Sequence, residues 1–166
     1  MFDFEASDGA DKAVLYADLR SSALAIVEGE RDAIANMANV TALIWQFLPD
    51  LNWAGFYRLV ANDEKSELVL GPFQGKAACI RIALGQGVCG TAAATRQTQC
   101  IADVHAFPGH IACDAASASE IVVPLVHGGR LIGVLDLDSP LLARFDDDDV
   151  AGLEALCAGI MPALAG

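Results

Sequence analysis

The sequence predicts an α+β domain with a mostly antiparallel central sheet of five or six strands, two helices before it and one after. Helix-spaced apolar residues at both ends, period-two runs through the middle, and turn residues joining the clearest pair of runs support this reading. At 166 residues and 54% hydrophobic content, residues 1–166 are expected to form one domain around one core.

Leu15, Leu19, Ala23 and Ile26 recur at helical spacing after Asp11, a natural cap, and Gly29 interrupts that helix. A second helix places Ile34, Met37, Ala38, Thr41, Ile44, Trp45 and Leu48 on one stripe and stops at Pro49. NWAGFYRLV from Asn52 then reads as a strand, ANDEKS as a turn, and ELVLGPF from Glu67 as the hairpin partner. AACIRI from Ala77 reads as a further strand. Glycines at 85 and 87 make a turn before a short helix from about Cys89, and a brief strand follows near Cys100.

Residues 103–119 have no clear period and contain Pro108-Gly109, so they form a long loop of the sort that carries function. EIVVPLV and RLIGVLDLD, joined at His127-Gly128-Gly129, make the clearest hairpin, with Pro124 marking an edge or bulge. FDDDDV opens the last helix with acids at its favourable end, and Val150, Leu153, Cys157, Ile160 and Leu164 form its inner stripe.

Ten basic against twenty-two acidic residues give a net charge of -12, which repels phosphate backbones and anionic lipid and so argues against nucleic-acid or membrane partners. The longest apolar run, residues 155–166, falls short of the roughly 20 a spanning helix needs and contains Pro162. An acidic N-terminus without an apolar signal core makes a cytoplasmic location the expectation. Charged residues make up 19%, low enough that a partner subunit is expected to cover some apolar surface.

Five cysteines at irregular spacing do not form a disulfide framework. Cys157 falls on an apolar helix stripe and Cys100 lies in a short strand, so both are expected to be buried. Cys79, Cys89 and Cys113 each lie beside a glycine-rich turn or a loop, where a thiol can gain thiolate character; redox-active and merely structural thiols both fit their spacing. Zinc is the competing reading, because His105 and His110 share a loop with Cys113. Wide ligand intervals and the lack of a CxxC pair argue against it, and no metal is expected. His127 reads as a solvated turn residue.

The carboxylates say more. Alternation in RLIGVLDLD puts Ile132, Val134, Asp136 and Asp138 on one face and Leu131, Leu135 and Leu137 on the other. Two aspartates on a largely apolar face are desolvated and repel one another, which raises at least one pKa. Glu120 adds a third acid at the start of the paired strand. Such a group can hold a ligand ammonium and retain a proton for general-acid work.

The ordered runs NWAGFYRL, GPFQGKAACIRI, GQGVCGTAAATRQ, DVHAFPGHIACDAASASEIVVPL and IGVLDLDS resemble the GAF-domain free methionine-(R)-sulfoxide reductases, from about Asn52 to Phe145. The resemblance implies a GAF-like fold and reduction of the free amino acid methionine-(R)-sulfoxide by a cysteine sulfenic acid and disulfide mechanism, with thioredoxin as reductant, no cofactor, and a homodimeric assembly. It makes Cys113 the nucleophile, with Cys79 or Cys89 resolving. Glu120, Asp136 and Asp138 would bind the ammonium and protonate the sulfoxide oxygen, and Trp53 would wall the substrate methyl group. The alternative is a non-catalytic GAF sensor module that binds a small ligand.

Overall fold

The computed structural model describes residue 4 and residues 11–61, 66–109 and 114–165. His110, Cys113 and most of the ANDEKS turn lie outside the described residues.

Helix α1 (Lys12–Val27) starts where the Asp11 carboxylate accepts the Val14 amide, and α2 (Ala33–Phe47) starts the same way, with Asp32 accepting from Ala35. Between them the chain turns at Gly29, whose φ of +78° suits glycine. Both helices are rotated from the expected stripes. Tyr16, Leu19, Ala23 and Val27 are buried on α1, and Met37, Val40, Ile44 and Phe47 on α2, while Ile34 and Trp45 stand exposed. The rotation lets α2 also bury Asn36, while Thr41 is buried as expected, and each finds partners: Asn36 donates to the carbonyls of Glu30 and Ala163, and Thr41 to that of Met37.

The sheet consists of β1 (Trp53–Ala61), β2 (Ser66–Gly75), β3 (Arg81–Ala83), β4 (Gln99–Ile101), β5 (Ser119–His127) and β6 (Arg130–Ser139), in the order β3-β2-β1-β6-β5-β4. Every neighbouring pair is antiparallel. AACIRI supplies only the three residues of β3, shorter than expected. The Leu70 amide donates to the Ile80 carbonyl, and just beyond it a register shift against β1 sets Gly71 and Pro72, the latter without an N–H, opposite Phe56. Pro124 lies in the part of β5 beyond its last partner on β4, Val122, and so sits on a local edge.

The β5–β6 hairpin closes on His127 opposite Arg130, with Gly128 and Gly129 both at positive φ as a tight primed turn requires. Leu125 then faces Gly133 while Val126 faces Leu131, which leaves Ile132 as an extra residue. That bulge corrects the expected alternation. Leu131 joins the Val134 side of the sheet, and Ile132 joins Leu135 and Leu137 on the other.

Helices α1, α2 and α4 (Asp147–Leu164) cover one face, packing Leu19, Ile44, Leu153 and Ile160 on Phe56, Ile121, Leu135 and Leu137. Burying each of these side chains contributes about 1.5–3 kcal/mol. On α4 the expected Leu153, Cys157, Ile160 and Leu164 are buried, with Val150 half-buried. The opposite face is covered by the short helix α3 (Gly87–Thr95), where Val88 and Ala92 meet Tyr57, Leu68, Val122 and Val134. Among the described residues no helix is long and apolar enough to cross a membrane.

Candidate active site

Strand register assembles the acids. Glu120 on β5 lies directly opposite Asp138 on β6, and Val122 opposite Asp136, so all three carboxyls point to the α3 face. On the other side of β6, Trp53 is the partner of Asp138 and Gly55 the partner of Asp136. A side chain at Gly55 would collide with Phe73 and the Trp53 ring, so glycine there lets the indole fold over β1. Trp53 stacks on Phe73 at 5.4 Å and on Tyr57 at 5.8 Å, and its indole N–H donates to the Lys76 carbonyl.

Helix α3 closes over the acids from above. The chain turns into it at Gly85 and Gly87, both at positive φ, and Gly90 rests against the Ala83 carbonyl where a Cβ would clash. Its first turn thereby places Cys89 over the carboxyls; Cys89, Glu120 and Asp136 each offer a ligand-type atom within 4.8 Å of the others.

The three acids are 6%, 6% and 9% exposed for Glu120, Asp136 and Asp138, and burial dominates their chemistry. Burial, then the charges of Asp136 and Asp138, push Glu120 well above the usual carboxylate range. Asp136 is raised by burial and by the Asp138 charge, with hydrogen bonds from the Cys89 thiol and the Glu120 carboxyl opposing. Asp138 is pushed up to about 7 by burial, against the opposing hydrogen bond from Ser117. The group therefore retains protons near neutral pH. Cys89 follows the same logic: burial, then the charges of Asp136 and Glu120, hold its thiol protonated. The thiolate character expected from its helix-start position is overridden, because a single short helix cannot offset burial beside three acids.

A pocket of about 20 Å³, the size of one water molecule, lies between these groups. Cys89, Glu120, Asp136 and Asp138 line it together with Tyr57, Gln86 and Ser117. The last three were not singled out from sequence. Ser117 becomes visible only through register, since the Ala118 amide donates to the Ser139 carbonyl and so holds Ser117 beside Asp138. Asn52 supports it, donating from Nδ2 to Ser117 Oγ at 3.1 Å and from its backbone to the Asp138 carbonyl at 3.0 Å.

The other predicted residues are spread around this centre. Trp53 is buried behind Tyr57 and is not among the described lining residues. Cys79 is half-buried between β2 and β3, and its carbonyl accepts the Tyr57 hydroxyl at 3.0 Å. Cys113 lies outside the described residues; its neighbour Asp114 pairs with Lys76 at 3.0 Å and caps the Ala116 amide. Cys157 is buried, which pushes its thiol up to about 12. Cys100 is exposed, contrary to expectation, because β4 is the edge strand of the sheet. His127 is exposed in its turn, as expected, and His105 is exposed as well.

The model of the GAF domain family matches residues 35–165. The chain is 54% identical over 155 residues to the free methionine-R-sulfoxide reductase of Escherichia coli, covering 93% of this chain and 92% of that one. It is 43% identical to the enzyme of the same name from Saccharomyces cerevisiae, over 90% of this chain and 86% of the other. The X-ray structure of free methionine-R-sulfoxide reductase from Neisseria meningitidis in complex with its substrate superposes with a TM-score of 0.92 at 44% identity, covering 99% of this chain and 96% of that one. The chain belongs to the GAF-domain family of free methionine-R-sulfoxide reductases.

Proposed function

We propose that the protein reduces free methionine-(R)-sulfoxide to methionine at the pocket beneath α3. The observation that carries this reading is the buried group of Glu120, Asp136 and Asp138, which keeps protons near neutral pH beside a thiol. A sulfoxide becomes a good electrophile only as its oxygen is protonated, and a carboxyl of raised pKa supplies that proton at neutral pH.

Asp138, with a pKa of about 7, ionises most readily and holds the substrate ammonium. Glu120 and Asp136, held more firmly in the protonated form, hydrogen-bond the sulfoxide oxygen. The Cys113 thiolate attacks the sulfoxide sulfur as the oxygen takes a proton; the oxygen then passes to the Cys113 sulfur while the transient S–S bond and the substrate S–O bond break, leaving methionine and a Cys113 sulfenic acid. The Cys79 thiol then attacks that sulfenic acid, forming a disulfide and releasing water, and Cys89 is the alternative resolving thiol. Thioredoxin reduces the disulfide by thiol–disulfide exchange, so no cofactor is needed. Trp53 acts through the aromatic stack as an apolar wall for the substrate methyl group. The enzyme works in the cytoplasm as a homodimer.

The pocket holds only a water-sized space, so α3 must yield to admit an amino acid. The test is a stereoisomer-resolved assay with dithiothreitol or thioredoxin. Methionine is expected from the free R sulfoxide, with turnover lost in Cys113→Ser. An N-acetylated R sulfoxide consumed at the same rate would overturn the role of the acids in holding the ammonium.

A further inference from the structure

We propose that Cys89, Glu120 and Asp136 form an inhibitory binding site for a thiophilic divalent cation of the zinc class. The site differs from the histidine-containing set that the sequence offered, and it treats the cation as a blocker of the pocket.

The three ligand atoms come from α3, β5 and β6 and lie within 4.8 Å of one another. A tetrahedral zinc ion needs its sulfur at about 2.3 Å and its oxygens at about 2.0–2.2 Å, which sets ligand spacings of roughly 3.5 Å, so an inward movement of about 1 Å completes the set. A second observation points into the same place. Asp136 is 6% exposed and lines the pocket, yet its Oδ1 has no hydrogen-bond partner. A buried orphan acceptor is costly, and a cation relieves that cost directly. The adjoining 20 Å³ has room for one water, enough for the open fourth position.

Charge and softness select the ion. A thiolate with two carboxylates bears three negative charges on binding, so a divalent cation offsets most of the burden while the three protons are released to solvent. Sulfur among the donors disfavours magnesium and calcium, which take oxygen ligands, and favours zinc or cadmium. Because Glu120 and Asp136 would also serve the substrate, a bound cation excludes it. That competition rests on the proposed reductase activity, whereas the binding itself does not.

The test titrates the reduced full-length chain with cadmium and follows the ultraviolet thiolate-to-cadmium charge-transfer band, with zinc as competitor. A saturable band at one equivalent is expected, displaced by zinc and unaffected by excess magnesium. Cys89→Ser should abolish it, Asp136→Asn and Glu120→Gln should each weaken binding by more than about tenfold, and a Cys79→Ser/Cys113→Ser double variant should retain it. Circular dichroism identifies any variant that has lost its fold. Absence of a saturable band, or a band that survives in folded Cys89→Ser and disappears in the double variant, overturns the site. Zinc inhibition competitive with the sulfoxide is expected in the turnover assay. A chain that binds cadmium through Cys89 but reduces no sulfoxide would keep the site and reject the activity, and the converse result would separate them the other way.

Discussion

Asp138 shows how one residue can serve chemistry at the expense of stability. Burial raises its carboxyl from 3.8 to about 7, so the folded protein binds a proton there more tightly than the unfolded chain. The sign follows from linkage. Its favourable contribution is complete below about pH 4 and is lost as pH rises through about 7, a change on the order of a few kcal/mol. Asp138→Asn is therefore expected to melt above the wild type at about pH 8 and close to it near pH 4. An equal difference at both pH values would mean that the carboxyl's ionisation is not what the substitution relieves. Asp136 and Asp138 were legible from period two alone, but Ser117 and Asn52, which hold Asp138 in place, were not. Their positions depend on bonds between distant segments of chain.

At the scale of elements, α3 is positioned by the absence of a side chain. Gly90 lies against the Ala83 carbonyl, and a Cβ there would clash with backbone that has no room to give. Gly90→Ala is expected to cost about 2 kcal/mol or more and to lift Cys89 from the acids. Urea unfolding measures the first effect, and a Cys89 thiol pKa that falls toward its ordinary value on leaving the carboxyls measures the second. An unchanged unfolding midpoint would show that α3 sits elsewhere. The short helix and its glycine turn were readable from GQGVCG. The shift of Leu131 and Ile132 between faces was not, because a bulge is a property of two strands in register rather than of one.

Across the whole molecule the two faces of the sheet divide the work. One carries the pocket beneath α3; the other, under α1, α2 and α4, holds most of the buried core. Asp149 fastens that second layer. Fully buried, it accepts from the Tyr16 hydroxyl at 2.8 Å, Lys12 at 2.6 Å, Arg144 at 3.2 Å and the Asp146 amide at 2.9 Å, tying α1 to the start of α4. Asp149→Ala should destabilise the fold by about 3–5 kcal/mol. Turnover per folded molecule should hardly change at low temperature, because the pocket is on the opposite face. A normal melting temperature would contradict the structural role, and lost turnover in a fully folded sample would contradict the division of labour.

The sequence by itself determined the helices, the central hairpin and the shared face of Asp136 and Asp138, since helical period, turn chemistry and strand alternation are local rules; strand register then set Glu120 beside them. Tertiary structure decided the rest. Edge position exposed Cys100, and burial among carboxylates kept Cys89 protonated when its place at a helix start suggested the reverse. Solvation and the electrostatic field at an atom depend on every element packed around it, and no local pattern records that sum.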